Sequence, residues 1–442
     1  MNAGDVAWIL ASSALVCMMI PALALFYGGM VGSRRILNMM MMCFGGASLV
    51  AVLWALFGYS MAFGNSVNGL GLIGDVTQYA GMEPLLKDNP GASLPPALFA
   101  AFQLFFACVT TALVAGAAAG RMKFGAWMVF SGVWATLVYF PIAHWVFAFN
   151  SADGSVTGGW IANGIKAIDF AGGTAVHMNA GAAALALALV LGRSSGWPKM
   201  EHSKPHSRPL VLVGAGLLWV GWFGFNAGSA LAAGHSASVV FLNTAVAAAA
   251  GLLAWALVER IRHGATTSMG AASGLVAALV AITPACGAVS PLGAVAIGAI
   301  AGAVCSLAIE WKFRLGFDDS LDVVGVHLVG GIIGTLLIGI FATSSAPNGV
   351  SGLLYGGGLR QLGIQSIATV AVLAYSFGLT WVIAKVVDMA MGLRIHEEDE
   401  LRGIDIAAHS EFAYLMDEDP VNLGSSSPVM SHVNRSAQPA PS

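Results

Sequence analysis

The stretch Asp169-Phe-Ala-Gly-Gly-Thr-Ala-Val-His177-Met-Asn-Ala-Gly181 opens a run of small and apolar residues that continues to Leu191. A run of this kind can cross a bilayer, for which about 20 residues are needed. An aspartate and a histidine are costly there, and ionisable groups inside a membrane mark a path for a substrate or a proton. The stretch therefore predicts a membrane helix with a functional histidine.

A second stretch, Asp322-Val-Val-Gly-Val-His327-Leu-Val-Gly-Gly331, repeats the pattern. It again has an aspartate, then Val-His, and then a glycine four residues after the histidine. Two histidines in matching settings, one in each half of the chain, predict the chemical centre of the protein.

The composition is that of a polytopic membrane protein. Hydrophobic residues make up 57% of the chain and charged residues 9%, against roughly 25% charged residues in a soluble domain. Little room is left for a soluble enzyme domain. The five cysteines fall in apolar runs without paired spacing, so we expect neither a disulfide framework nor a zinc site.

Eleven apolar segments are long enough to span a membrane. They lie at about 6–31, 38–63, 96–119, 125–148, 170–191, 210–232, 238–259, 267–284, 291–311, 323–343 and 362–392. The first segment follows a short acidic start without basic residues, so we do not expect a cleaved signal peptide.

Lysines and arginines fall into alternate loops. One set of loops and the tail hold 16 of them, and the opposite loops hold three, Lys87, Lys166 and Arg360. The positive-inside rule predicts an outer N-terminus and a cytoplasmic C-terminus, as an odd number of helices requires.

Segments one to five and six to ten form two halves, with Val-His in the fifth and in the tenth segment. Because five is odd, two similar halves must lie upside down relative to each other, and inverted repeats place the substrate path at their interface. The 56 glycines suit close helix packing.

We divide the chain into a membrane domain at 1–392, a cytoplasmic docking tail at 393–416 and a disordered extension at 417–442, which is polar and poor in hydrophobic residues. The acidic residues 397–400 are expected to face the basic inner loops, especially 199–208 and 260–262.

The histidine pair has a structural and a functional interpretation. A histidine can simply hydrogen-bond between helices, but a symmetric pair favours the functional interpretation. A metal site is disfavoured because two imidazoles leave a first-row metal short of ligands.

Asp169 begins its helix, where a carboxylate caps backbone N–H groups. This structural role is favoured over attraction of a cation at the outer mouth. We expect Asp322 to cap the second helix in the same way, on the inner side.

Aromatic residues cluster at 102–106 and 222–225, and Ser229 follows Phe225 by one turn. Such a stripe is usually core packing. Stacked rings would also close a pore to water, and ring faces with a serine oxygen would hold a small cation. An enzyme interpretation has no phosphate loop, nucleophile–base pair or carboxylate dyad to support it.

These residues resemble the ammonium transporter (Amt/Mep/Rh) family, most of all its bacterial Amt proteins. The similarity covers about residues 1–416 and rests on Phe-Tyr-Gly-Gly-Met at 26–30, Asp-Phe-Ala-Gly-Gly-Thr-x-Val-His at 169–177, Trp-Phe-Gly-Phe-Asn-Ala-Gly-Ser at 222–229, Ala-Ile-Thr-Pro-Ala-Cys-Gly at 281–287, Gly-Val-His at 325–327 and the tail motif at 392–409.

The resemblance implies an all-α eleven-helix fold with a five-plus-five inverted repeat, assembled as a homotrimer in the cell membrane with one pore per subunit. The implied roles are pore lining for His177, His327 and Thr283, the gate for Phe106 and Phe225, substrate binding for Phe102, Phe147, Trp222 and Ser229, and an electrostatic or structural role for Asp169.

Phe147 departs from the family, which usually has tryptophan after Ala-His-x-Val. Phenylalanine is the weaker cation–π partner, and Trp160 in the loop that follows is a candidate to fill the place.

By this resemblance the chain takes ammonium, releases its proton and conducts ammonia. Its implied partners are ammonium or ammonia, membrane lipid, further copies of itself and a P-II-type nitrogen signalling protein; we expect no cofactor and no nucleic acid. Two alternatives remain: an ammonium sensor with little flux, and an Rh-type channel for neutral gas.

Overall fold

The computed structural model describes residues 2–87, 92–151, 154, 156–198 and 204–414. Within these ranges the chain is helical and has no β-strand, only three isolated bridges between single residues. This confirms the predicted all-α class. The predicted disordered extension, residues 417–442, lies outside the described residues.

Ten helices of the described chain are long and apolar enough to cross a membrane, and an eleventh apolar helix is shorter. We number them in chain order: α1 Ala3–Met30, α2 Ile36–Phe63, α3 Pro96–Ala118, α4 Phe124–Phe147, α5 Gly173–Leu191, α6 Arg208–Gly228, α7 His235–His263, α8 Ser268–Ile282, α9 Pro291–Leu315, α10 Val324–Phe341 and α11 Arg360–Met391.

Each helix begins and ends within four residues of the segment predicted for it. The number of spans is the point of difference. Helix α8 has 15 residues, or about 22 Å at 1.5 Å per residue, which is short of the ~30 Å hydrocarbon core. Ten full-length spans are therefore observed, and the predicted eighth segment is this shorter helix.

Helices α5 and α10 both begin with wide π-helical turns, at Gly173–Met178 and Val324–Leu328. Turns of this kind shift the register of the side chains that follow and occur often at functional sites. The two turns contain His177 and His327, so both predicted histidines lie in the same kind of helical turn.

Small residues let the helices approach closely. An added Cβ on Gly214 of α6 would lie 2.5 Å from the backbone nitrogen of Phe26 in α1. No side chain fits in that space, so this contact requires glycine. Close approach of this kind replaces the hydrophobic driving force that is missing between helices in lipid.

The tail after α11 folds back on the membrane domain through two short helices, α12 Glu397–Arg402 and α13 Ile404–His409. Asp405 accepts hydrogen bonds from the backbone nitrogens of Leu37 at 3.1 Å and Asn38 at 2.7 Å. Its carboxylate thus caps the start of α2, where Arg35 forms no side-chain cap.

Glu400 forms the second anchor of the tail. Its buried carboxylate accepts from the backbone nitrogen of Ser195 at 2.8 Å and pairs with Arg394 at 2.8 Å. The expected pairing with the basic loop at 260–262 is not observed, since Arg262 pairs with Glu310 at 2.8 Å. Glu400 reaches instead the chain that follows α5.

We predict that Asp405→Ala loosens the start of α2. Losing a carboxylate cap costs about 1 kcal/mol, so the amide hydrogens of Leu37 and Asn38 should exchange with solvent about fivefold faster. Mass-spectrometric hydrogen exchange would measure this. Glu398→Ala, at an exposed residue of the same tail, is the matched control and should change nothing. Equal exchange in both variants would contradict the capping role.

Candidate functional site

The two predicted histidines meet in the interior of the protein. Their Nδ1 atoms lie 3.3 Å apart, and the side chains of His177 and His327 are only 1% and 3% exposed. A hydrogen bond between two Nδ1 atoms requires one to donate and the other to accept. The pair therefore shares a single proton along this contact. Within the described ranges, His177 Nε2 has no protein partner.

Asp169 caps the start of α5. Its carboxylate accepts from the backbone nitrogens of Gly172 at 2.7 Å, Gly173 at 2.6 Å and Thr174 at 2.8 Å, and also from the Thr174 hydroxyl. A longer bond of 3.2 Å comes from Ala175. These donors use most of its acceptor capacity, as the structural interpretation predicted.

The cap of the second helix is Asp319, not Asp322. Asp319 accepts from the backbone nitrogen of Val324 at 2.7 Å, whereas Asp322 pairs with Lys312 at 2.6 Å. The expectation for Asp322 was wrong because it followed local similarity. Asp169 and Asp319 both lie eight residues before their histidine, whereas Asp322 lies five before it. That spacing was the available signal.

Burial raises the pKa of Asp319 to about 6. Desolvation disfavours the charged carboxylate, and Asp322 acts in the same direction, while Lys312 opposes them. The Asp319 carboxylate therefore takes up a proton at a higher pH than a free aspartate does.

Stacked aromatic rings close the path on one side of the histidines. Phe106 and Phe225 stack at a centroid distance of 4.2 Å, and Phe102 meets Phe106 edge-on at 4.9 Å. Phe225 in turn lies 5.8 Å from the His177 ring. All these side chains are buried, so the histidine pair is sealed behind the phenylalanine pair.

Trp222 lies on the His177 ring at 5.3 Å, nearly parallel to it. Its indole N–H donates to the Thr283 hydroxyl at 2.8 Å, and this hydroxyl donates to the Leu279 carbonyl at 2.7 Å. The chain of bonds fixes the indole against the imidazole. Thr283 therefore positions Trp222, a role that the sequence did not reveal.

A cavity of about 730 Å³ opens beyond the phenylalanine pair. Four of the predicted residues line it: Phe106, Phe147, Asp169 and Ser229. Phe102, Trp222 and Phe225 are not among the lining residues. Lining residues without a role in the sequence analysis include Gln103, Lys166 and Asn348.

Of the two candidate rings, Phe147 lines this cavity and Trp160 does not. Phe147 meets Phe106 edge-on at 6.5 Å. Trp160 packs against Trp145 at 5.8 Å and is not among the lining residues. The Ser229 hydroxyl donates to the Phe225 carbonyl at 2.8 Å, which leaves its oxygen lone pairs available to a donor.

The fold and the site define a multi-pass membrane protein in which a cavity of about 730 Å³ lies next to stacked aromatic rings and a buried histidine pair. The family model described as the Ammonium Transporter Family matches residues 7–414. The chain belongs to the ammonium transporter family, a family of transporters and not of enzymes.

Individual relatives agree with this. An ammonium transporter of Mycobacterium bovis is 53% identical over 435 residues, which covers 93% of this chain and 90% of the relative. A solved structure of a sensor Amt protein superposes with a TM-score of 0.83 at 28% identity, covering 92% and 98% of the two chains. Mep2 of Saccharomyces cerevisiae superposes with a TM-score of 0.78 at 35% identity, covering 90% and 88%.

We predict that Thr283→Val lowers the thermal stability of the purified protein. The substitution keeps the shape but leaves the buried Trp222 N–H without an acceptor, which costs about 1–3 kcal/mol. Thr283→Ser keeps the hydroxyl and should unfold close to the wild type. The apparent unfolding temperature in detergent measures both. Similar losses in the two variants would show that the methyl group matters and the hydrogen bond does not.

Proposed function

We propose that the chain transports ammonium, by binding it in the outer cavity, removing its proton and passing ammonia between the phenylalanines and along the histidines. The observation that carries this is the buried contact of His177 with His327 behind the Phe106–Phe225 stack. A polar pair sealed by apolar rings suits a small neutral molecule that can hydrogen-bond.

The apolar seal would select by charge. Moving a compact ion from water to a dry interior costs on the order of 20 kcal/mol in the Born limit. Ammonia does not carry this penalty, whereas potassium has no proton to release and so cannot avoid it. Potassium and ammonium are alike in size, so a pore that discriminates between them needs this difference in chemistry.

The outer cavity supplies contacts for the cation. The rings of Phe106 and Phe147 offer cation–π attraction, and the Ser229 oxygen can accept a hydrogen bond. Asn348 and Gln103 add polar groups at the wall. The cation can thus be held by rings and oxygens before it loses its proton.

The histidines would then form hydrogen bonds with ammonia and transfer protons. Histidine is the side chain whose unperturbed charge change falls nearest neutral pH. Because each imidazole has a second ring nitrogen, the pair can accept from ammonia on one side and hand a proton along the Nδ1 contact. In this proposal the proton follows ammonia, which makes net transport electrogenic.

We further propose an outer N-terminus, a cytoplasmic C-terminus and a homotrimer. The charge bias of the loops supports the orientation. The tail, anchored by Asp405 and Glu400, is a suitable surface for coupling subunits and for a P-II-type protein. The mass of the detergent-solubilised particle tests the trimer, since a mass other than that of three copies would exclude it.

A sensor is the second candidate, because the sensor Amt protein superposes closely on this chain. A sensor would bind ammonium in the same cavity with little flux. Current across a proteoliposome membrane after an ammonium jump separates the two, with a potassium jump as the control. Binding without current would favour the sensor.

We predict that His177→Ala and His327→Ala each abolish ammonium-specific current or open the path to potassium. Either loss removes half of the buried pair and enlarges the pore. Current recordings with ammonium and with potassium measure both effects. Unchanged current and selectivity in both variants would contradict the proposed path.

We predict that Phe147→Trp lowers the half-saturating ammonium concentration by up to about tenfold, the equivalent of ~1.4 kcal/mol, because tryptophan is the stronger cation–π partner. Trp160→Phe is the matched control, since that ring is not part of the cavity wall, and should leave half-saturation unchanged. If Trp160→Phe alone weakened binding, Trp160 would be the recruiting ring.

A further inference from the structure

An exposed lysine forms part of the wall of the outer cavity. Lys166 is one of its 21 lining residues, together with the aromatic residues Phe106 and Phe147 and with Ser229. Lys166 follows the short π-helical turn Ile161–Ile165 and has a left-handed backbone with φ 58°. A lysine is unexpected in the wall of a cavity that is proposed to bind a cation, because its positive charge repels that cation.

The other charged residue in the lining is Asp169. Its oxygens accept hydrogen bonds from the first backbone N–H groups of α5. Those N–H groups form the positive end of the helix dipole, equivalent to about half an elementary charge. The negative charge of Asp169 is thus largely neutralised by the helix start. The positive charge of Lys166 is not neutralised to the same extent within the wall.

The cavity is small enough for this charge to act throughout it. A sphere of the observed volume, about 730 Å³, would be about 11 Å across, comparable with the ~10 Å Debye length at 0.1 M salt. A cation anywhere in the cavity therefore lies within about one Debye length of the wall that holds Lys166, so its repulsion by the lysine charge is only partly screened.

We propose that Lys166 sets the affinity of the outer cavity by electrostatic repulsion, so that its positive charge keeps the occupancy by ammonium low. This rests on the proposed function, in that ammonium is taken to enter through this cavity. A point charge acts on any monovalent cation alike. Lys166 thus controls how much cation is held, and the aromatic and histidine residues control which species passes.

A weak entrance site has a consequence for transport. The Lys166 charge acts to the same extent on the cation bound in the cavity and on the cation about to lose its proton there, so it does not change the barrier between these two states. Repulsion at the entrance raises the half-saturating concentration and leaves the steps at the phenylalanines and histidines unchanged. The effect is therefore expected in half-saturation and not in the limiting current.

The test is a charge series at this one position: Lys166→Arg, Lys166→Gln and Lys166→Glu, each in the full chain. Ammonium binding is measured by calorimetry in detergent, and ammonium current in proteoliposomes. Coulomb interaction across a cavity of this size at high dielectric predicts that Gln tightens binding about two- to fivefold and Glu about five- to twentyfold, with Arg unchanged. Limiting currents should stay within about twofold of each other, as the unchanged chemistry of the pore requires.

Two controls separate charge from structure. Lys87→Gln removes another exposed outer lysine that does not line the cavity, and it should leave binding unchanged. Raising sodium chloride from 0.1 to 1 M shortens the Debye length to about 3 Å, so the difference between wild type and Lys166→Gln should shrink. A purely structural role of the lysine would not respond to salt in this way.

The outcomes are distinct. Binding that follows the charge order and converges at high salt supports the role of Lys166. Binding that is the same in Arg, Gln and Glu variants, with normal wild-type current, overturns it and leaves the proposed function intact. If binding follows the charge order but the wild type carries no current, the role of Lys166 is supported and the transport function is contradicted.

Discussion

Two carboxylates hold the histidine-bearing helices at their first turns, and the geometry of the path depends on them. Free backbone N–H groups cost several kcal/mol where lipid replaces water. Asp169 satisfies those of α5, and Asp319 does the same for α10 through Val324. Because each carboxylate lies eight residues before its histidine, fixing the start of the helix also fixes the depth of the imidazole. The contact of the Nδ1 atoms follows from these two caps.

The aromatic seal makes that contact chemically useful. Phe225 touches both Phe106 and the His177 ring, so bulk water does not reach the imidazoles from the cavity. Trp222 holds His177 from the side and is itself held by Thr283. Inside such a low-dielectric site a hydrogen bond is stronger than in water, and an unpaired charge is far more costly. In the proposed mechanism the same packing favours neutral ammonia and excludes an ion.

Much of this could be predicted from the sequence, because apolar runs and an isolated polar residue within them are strong local signals. They identified the apolar helices and the His177–His327 pair, whereas the pairing of Phe106 with Phe225 was implied by the family resemblance. Asp319, the counterpart of Asp169 in the second half, was missed because the sequence around Asp322 is more similar to that around Asp169. The cap depends instead on the distance to the start of the helix. Lys166 and Asp405 could not be placed, since their positions depend on how loops and tail fold back, which local sequence does not encode.

The cap that Asp405 provides joins residues 367 positions apart. In synthesis, α2 is made and inserted long before that carboxylate exists. Until then its first N–H groups must be met by water or lipid headgroups at the membrane surface. A residue late in the chain thus completes a helix near its beginning. A chain truncated before Asp405 leaves these N–H groups of α2 uncapped, and only the full tail supplies their acceptor.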